Sequence, residues 1–278
     1  MLPYMMQGNN IVVVVNNTPH TIAKTHVTYT KVKDAIIAGD WETVKKIIDP
    51  EKVVLEYGNG RVEVQGEKLF WDGREMHNAL SKRMIEMLQE GFPIEPLVLF
   101  MENLQSNPSH RAVKELYGFL EKNCLPITPD GCFLAYKRVR DSYLDCYSGT
   151  VSNKPAYLLT DEEKTAMADT VSGRLKEVEV TLENDMTVVT MPRNMVNDDK
   201  DQTCSDGLHF CSEDYLNSFG GERIMILKIN PMDVVSVPSD YRDSKGRTCS
   251  YTVVGELGVD PADAFTAAVQ ENANTATE

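Results

Sequence analysis

"MHNALSKRMIEMLQEGFPIEPLVLFMENLQSNPSHRAVKELYGFLEKNCLPITPDGCFLAYKRVR", residues 76–140, decides the fold class because its hydrophobic period changes once along its length. Leu80, Met84, Met87 and Leu88 recur at helical spacing, and Gly91 closes that helix. Leu97, Val98, Met101 and Leu104 make a second stripe, stopped by Ser106-Asn107-Pro108. A third helix opens near Pro108-Ser109 and carries Val113, Leu116, Tyr117 and Leu120. Short connections between the three predict a compact helical unit. After "LPITPDG" the period drops to two: Cys132–Val139 alternates apolar and polar side chains, which is strand texture. Helices in one block followed by strands in another read as an α+β chain.

Working outward, the segment from Asn9 to Tyr29 is β-branched and polar, with a turn at Asn16–His20, so one hairpin is predicted. Lys31–Asp49 has helical spacing interrupted at Gly39-Asp40, giving two short helices with Asp40 as N-cap of the second. Val62 and Val64, a turn at Gln65-Gly66, then Leu69 and Trp71 form a small hairpin, followed by a second turn at Asp72-Gly73. Towards the C-terminus, strands are predicted at Met186–Met191, Ile224–Ile229, Val234–Val237 and Ser250–Val254. The expected organisation is an N-terminal part of β-hairpins and short helices (1–74) and a three-helix middle (75–125). A mixed α+β domain of short strands (126–258) follows, then an acidic tail (259–278). Residues 154–185 lack a clear apolar face and read as an insertion; the tail has no basic side chain and reads as disordered.

Composition narrows the function. Hydrophobic residues make up 42% of the 278, enough for sizeable cores, and no apolar run approaches a membrane span. The net charge of -14 opposes direct binding to phosphate backbones and anionic lipid. The densest basic stretch, Lys137–Arg140, is too short to hold duplex nucleic acid. No direct nucleic-acid contact and no direct membrane insertion are expected; any peripheral membrane attachment would run through a partner. Six cysteines in a long chain with no secretory signal at Met1–Met6 do not suggest a disulfide framework, and none forms a CxxC.

Two long phrases carry a resemblance. The block quoted above and the later "MPRNMVNDDKDQTCSDGLHFCSEDYLNSFG…ILKINPMDVVSVPSDY…SKGRTCSYTVVGE" closely resemble bacteriophage rIIB-like proteins, the relatives of T-even phage rIIB. The resemblance covers roughly residues 66–256. It implies an accessory protein of the host cytoplasm that acts with a larger rIIA-like partner, itself similar to ATPases of the Hsp90 and gyrase group. The implied role is in lysis timing (lysis inhibition), or in growth in hosts that carry a prophage exclusion system. No agreed enzymatic reaction comes with the family, so it assigns no catalytic residue and no cofactor. The chain departs from the T-even form at its N-terminus, where no helix-turn-helix is visible, and at 154–185.

Candidate chemistry concentrates in "DQTCSDGLHFCSEDY", residues 201–215. Cys204, His209 and Cys211 could supply three zinc ligands, and His209 and Cys211 would share a strand face, but the spacing matches no common zinc module. A reactive thiol at Cys211 would need the positive end of a helix N-capped by Ser212, which nearby Asp206, Glu213 and Asp214 oppose. The plainest reading is a buried strand leading into a capped helix, with the cysteines packed as small apolar residues. A different class of function, nucleotide binding or an ADP-ribosyltransferase-like site countering a host defence signal, would use other residues. Tyr136 or Tyr241 would stack a base, Glu256 would hold ribose hydroxyls, and Lys137, His209 and Arg247 would complete a pocket. A concave site joining Lys137, His209, Arg247 and Glu256 would favour that class; scattered positions would favour a role in protein interaction. Met84, Met87 and Met101, with Phe100 and Tyr117 as an exposed remainder, are candidates for a partner-binding face.

Overall fold

The structure is a computed structural model. It describes residues 2–15, 17–24, 28–48, 61–65, 68–76, 79–90, 95–123, 125–167, 177–202, 205–218, 220–238 and 244–258. Cys204, Tyr241, the side chains of Met87 and Leu88, and the tail 259–278 lie outside the described residues. The fold is α+β, with helices and antiparallel sheets in separate stretches of chain. The chain forms two compact units, Met1–Leu99 and Phe100–Glu278, and the division falls inside a helix.

The first unit opens with an antiparallel sheet of β1 (Tyr4–Gln7), β2 (Asn10–Val15) and β3 (Thr18–Ala23) in that spatial order. The predicted hairpin is β2–β3; the additional strand β1 arises because the uncharged "YMMQ" pairs with the outer edge of β2, Tyr4 opposite Val13. Period two along β2 turns Ile11, Val13 and Val15 inward. Helices α1 (Tyr29–Ala38) and α2 (Trp41–Ile48) cover them with Val32, Ala35, Ile36, Val44 and Ile48. Gly39, at φ 72°, ends α1 in the left-handed region that only glycine enters cheaply. Asp40 then caps α2, its carboxylate accepting from the Thr43 amide at 3.1 Å and from the Thr43 hydroxyl at 2.6 Å. A second sheet holds β4 (Val62–Gln65), β5 (Lys68–Trp71) and β6 (Arg74–Glu75), with Val62, Leu69 and Trp71 buried. Helix α3 (Ala79–Glu90) lies against β5 and buries Leu80 and Met84.

Helix α4 (Glu95–Gln105) contains the division between the units, and α5 (His110–Lys122) belongs to the second. Ser109 caps α5 by accepting from the Ala112 amide. Phe100 and Tyr117, expected as exposed parts of a partner-binding face, are instead buried and meet edge to edge, ring centroids 6.1 Å apart. Helical stripes of this kind are core by default, because the apolar area gains most where water is excluded.

The second unit is built on an eight-stranded antiparallel sheet. Its strands are β7 (Phe133–Val139), β8 (Glu179–Glu183), β9 (Met186–Thr190), β10 (Leu208–Cys211), β11 (Arg223–Ile229), β12 (Val234–Ser236), β13 (Lys245–Thr248) and β14 (Ser250–Glu256). Their spatial order is β12-β13-β10-β7-β11-β14-β9-β8. Phe210 is the keystone of one face, with Phe133 at 5.6 Å and Phe119 of α5 at 5.8 Å, both tilted towards edge-to-face packing. Opposite Phe210 stands Gly246, where any Cβ would collide with the Phe210 ring. The other face carries a smaller cluster of Leu134, Ile226 and Val254 with Tyr136 and Met186. The 154–185 segment is not wholly an insertion: after the short helix α6 (Asp161–Met167), its last part is the edge strand β8, anchored by buried Val178 and Val180.

Asn107, in the turn between α4 and α5, is buried and tethers α5 to the sheet. Its amide donates to the carbonyls of Pro231 (2.8 Å) and Val234 (2.7 Å), and its oxygen accepts from the Ser109 amide and from Arg193. Asn107→Ala should therefore destabilise the protein by roughly 2–3 kcal/mol, since it orphans several buried groups at once. Urea denaturation of the full chain measures this; a change within about 0.5 kcal/mol would show the tether to be dispensable.

Candidate functional site

The basic run Lys137–Arg140 is only partly outward: Lys137 is buried, Arg138 half-buried and Arg140 exposed. Strand β7 delivers Lys137 to the interior with only 4% of its surface exposed. The chain after β7 doubles back through a bridge between Val139 and Asp145, which sets the Asp145 carboxylate 2.8 Å from the Lys137 ammonium. The other carboxylate oxygen accepts from the amides of Tyr147 (2.9 Å) and Ser148 (2.8 Å), an Asx-type turn that holds the acid in place. Lys137 also donates to the carbonyl of His209 at 3.3 Å and lies 5.9 Å from the centre of the Tyr251 ring. Burial works against both charges, yet each stabilises the other: Lys137 is held above the ordinary lysine range and Asp145 well below the usual carboxylate range. At neutral pH this is a closed ion pair. Arg138, half-buried, donates to the Gly221 carbonyl, and Arg140, exposed at the end of the run, donates to that of Cys146, so both guanidinium groups brace the backbone.

Around the pair lies a cavity of about 310 Å³, lined by Lys137, Asp145, Tyr147, His209, Lys245 and Tyr251 among others. Lys245 lies over the face of Tyr215 at 5.5 Å, and Tyr251 donates its hydroxyl to the Asn153 side chain. Burial, together with Lys137 and Arg247, pulls the His209 imidazole down to about 3, so it is neutral at pH 7.

Of the residues singled out from sequence, Lys137 and His209 meet at this cavity. Arg247 stands opposite His209 in the sheet, but it is fully buried and gives its guanidinium to the carbonyls of Asp199 and Gln202 and to the Ser236 hydroxyl. Glu256 is held elsewhere, accepting from Arg223 at 3.0 Å and from the Tyr143 hydroxyl at 2.9 Å, with the Arg223 guanidinium 4.4 Å over the Tyr143 ring. Tyr136 packs into the cluster on the other face of the sheet. Tyr241 is outside the described residues. The acid at the end of β14 and the base-stacking tyrosine of β7 are thus engaged in packing, and only two of the four discriminating residues line one site.

From Leu208 to Ser212 the cysteine stretch is a packed corner. Cys211 donates its thiol to the Tyr136 carbonyl at 3.4 Å, and burial pushes it up to about 12. Cys132, also buried, is likewise pushed up to about 12. Neither is a thiolate at neutral pH. Ser212 does not cap a helix with its side chain: its hydroxyl and its amide both go to the Ser244 carbonyl, and a 3-10 turn follows at Glu213–Ser218. Cys204 is outside the described residues; among those described, no three His, Cys, Asp or Glu side chains cluster to hold a metal. Asp145, the residue that defines the site, carried no motif. Its only signal was a lone acid eight residues beyond a lysine in a strand, visible as a pair only once the chain doubles back.

The chain matches the family model described as bacteriophage T4 protein rIIB over residues 2–169 and 166–264. It belongs to the rIIB family. Protein rIIB of Enterobacteria phage T4 is 36% identical over 244 residues, covering 87% of this chain and 67% of that protein. No solved structure matches. For this rIIB-family chain, no helix among the described residues is long and apolar enough to cross a membrane.

Two outcomes follow for the site. Lys137→Met alone should cost about 3–5 kcal/mol, because it strands a buried carboxylate, and adding Asp145→Asn should restore a large part of that loss. Chemical denaturation of the four proteins checks this; simple additivity would mean that the pair is not coupled. His209, whose folded value lies below its ordinary 6.5, favours the folded state in its neutral form, so its contribution is full above about pH 6.5 and is lost as pH falls towards about 3. The wild type should lose roughly 2 kcal/mol more stability than His209→Gln between about pH 7 and about pH 5. Parallel denaturation curves for the two proteins over that range would contradict it.

Proposed function

We propose that this chain is a phage accessory protein that works by binding another protein, an rIIA-like partner, and through it influences lysis timing or protects the phage in hosts carrying an exclusion system. The observation that carries this reading is the 36% identity with T4 rIIB along 87% of the chain. The placement of ionisable side chains supports it. Lys137 with Asp145, Arg223 with Glu256, and Arg247 with carbonyls are engaged in bracing the fold, and the buried thiols are protonated. The reading places the protein in the host cytoplasm, with any membrane contact made by the partner.

A surface in the first unit suits such binding. Strand β1 is at the edge of its sheet, all four of its residues are exposed, and it carries Tyr4, Met5 and Met6 without a charge or proline to discourage pairing. An incoming strand could extend the sheet there, with backbone hydrogen bonds for affinity and methionines adapting to the partner's side chains. Co-expression with the rIIA-like protein of the same phage should yield a complex on affinity capture and size exclusion, and Met5→Lys should weaken it at least about tenfold. Absence of a complex with the wild type would refute the partner; an undiminished complex with Met5→Lys would move the interface off β1.

A further inference from the structure

We propose that the cavity beside Lys137 is a binding site for an uncharged heteroaromatic ring of the nucleobase type, presented as a nucleoside, with Tyr147 stacking on the ring and Lys137 and His209 reading its edge. This rests on the side chains around the cavity and is independent of the partner-binding reading.

Four observations carry it. The volume, about 310 Å³, is at the small end of the range for small-molecule sites. Tyr147 lies on the lining yet is 71% exposed, and among the described residues no ring or cation is stacked on it. A large aromatic face left open at a cavity mouth is a platform for another ring. An ammonium has three N–H donors; Lys137 uses one on Asp145 and one on the His209 carbonyl, which leaves one buried donor at the cavity wall. The His209 imidazole makes no hydrogen bond among the described residues, so its neutral ring offers one donor and one acceptor.

Charge selects among ligands. The Asp145 carboxylate already neutralises the Lys137 ammonium, so an anionic group brought to Lys137 would face a carboxylate 2.8 Å from the same nitrogen. An uncharged acceptor, such as a ring nitrogen or exocyclic oxygen, uses the remaining N–H without that repulsion. The lining's second ammonium, Lys245, lies over the Tyr215 ring, and a polyphosphate finds no guanidinium there, because Arg247 and Arg138 are committed to backbone carbonyls. A flat ring with apolar faces and alternating donors and acceptors on its edge matches what remains, and the sugar would lie at the open side near Tyr147.

The test is ligand-observed NMR and calorimetric titration of the full chain with adenosine, guanosine, cytidine and uridine, using ribose 5-phosphate as a charged, non-aromatic control. At least one nucleoside should bind with a Kd below ~1 mM. Tyr147→Ala, at an exposed position where folding is not at stake, should weaken binding at least about fivefold with Tm unchanged, and His209→Leu should weaken binding by a similar factor. The proposal is overturned if none of the four nucleosides binds at about 10 mM, if both substitutions leave binding intact, or if ribose 5-phosphate binds as tightly as the nucleosides.

Discussion

The second unit depends on one buried ion pair. Lys137 sits on β7, between β10 and β11 in the sheet order, and Asp145 comes from the segment that doubles back over that strand. Neither charge could remain inside alone, since a single buried charge costs several kcal/mol. Their pairing therefore obliges residues 140–153 to fold in one way, with Asp145 accepting from two backbone amides while Lys137 reaches across to the β10 carbonyl. The same arrangement sets the wall of the cavity and the electrostatic surroundings of His209. Hydrophobic packing alone would fill this space more cheaply, but it would not fix the path of the loop.

A protein of net charge -14 still carries 28 lysines and arginines. Several of its arginines are spent on the chain's own carbonyls. Arg138, Arg140, Arg193, Arg223 and Arg247 each donate to at least one backbone carbonyl. A planar guanidinium serves this purpose well, because its fork of donors satisfies several carbonyls of irregular chain that no sheet ladder can reach. The consequence is a sheet whose connections are stitched to it by cations. Within the run 137–140, Lys137 is buried and Arg138 half-buried, so two of its three cations are drawn into the fold.

The site was legible only in part. Lys137 and His209 were named from sequence as parts of one pocket, and both reach the cavity. Glu256 looked like a strand-borne acid open to a ligand; it is instead closed off by Arg223 and Tyr143, the latter brought near by a left-handed φ of 63° in the loop after β7. Arg247 was expected to complete a pocket and is a structural brace. In each case the residue type was informative about the need for a partner, but the partner lay tens of residues away in sequence. The apolar stripe of Phe100 and Tyr117 misled for the opposite reason: helical periodicity says which face is apolar, not what covers it.

By itself the sequence determined the local elements and the class. The spacing of Leu80 and Met84, of Leu97 and Met101, and of Leu116 and Leu120 required helices, the Gly39-Asp40 break separated α1 from α2, and the alternation in β2, β5 and β7 required strands with one buried face. Local periodicity and capping suffice for that, since both act within a few residues. What only the tertiary structure decided was β13, "KGRT". It has no hydrophobic pattern, yet all four residues are buried. Gly246 is there because Phe210 fills the space a side chain would need, and Arg247 can be buried because the carbonyls of Asp199 and Gln202 arrive to receive it. Burial of a polar strand is a property of the partners it meets, and a linear sequence does not say which distant groups will be brought to it.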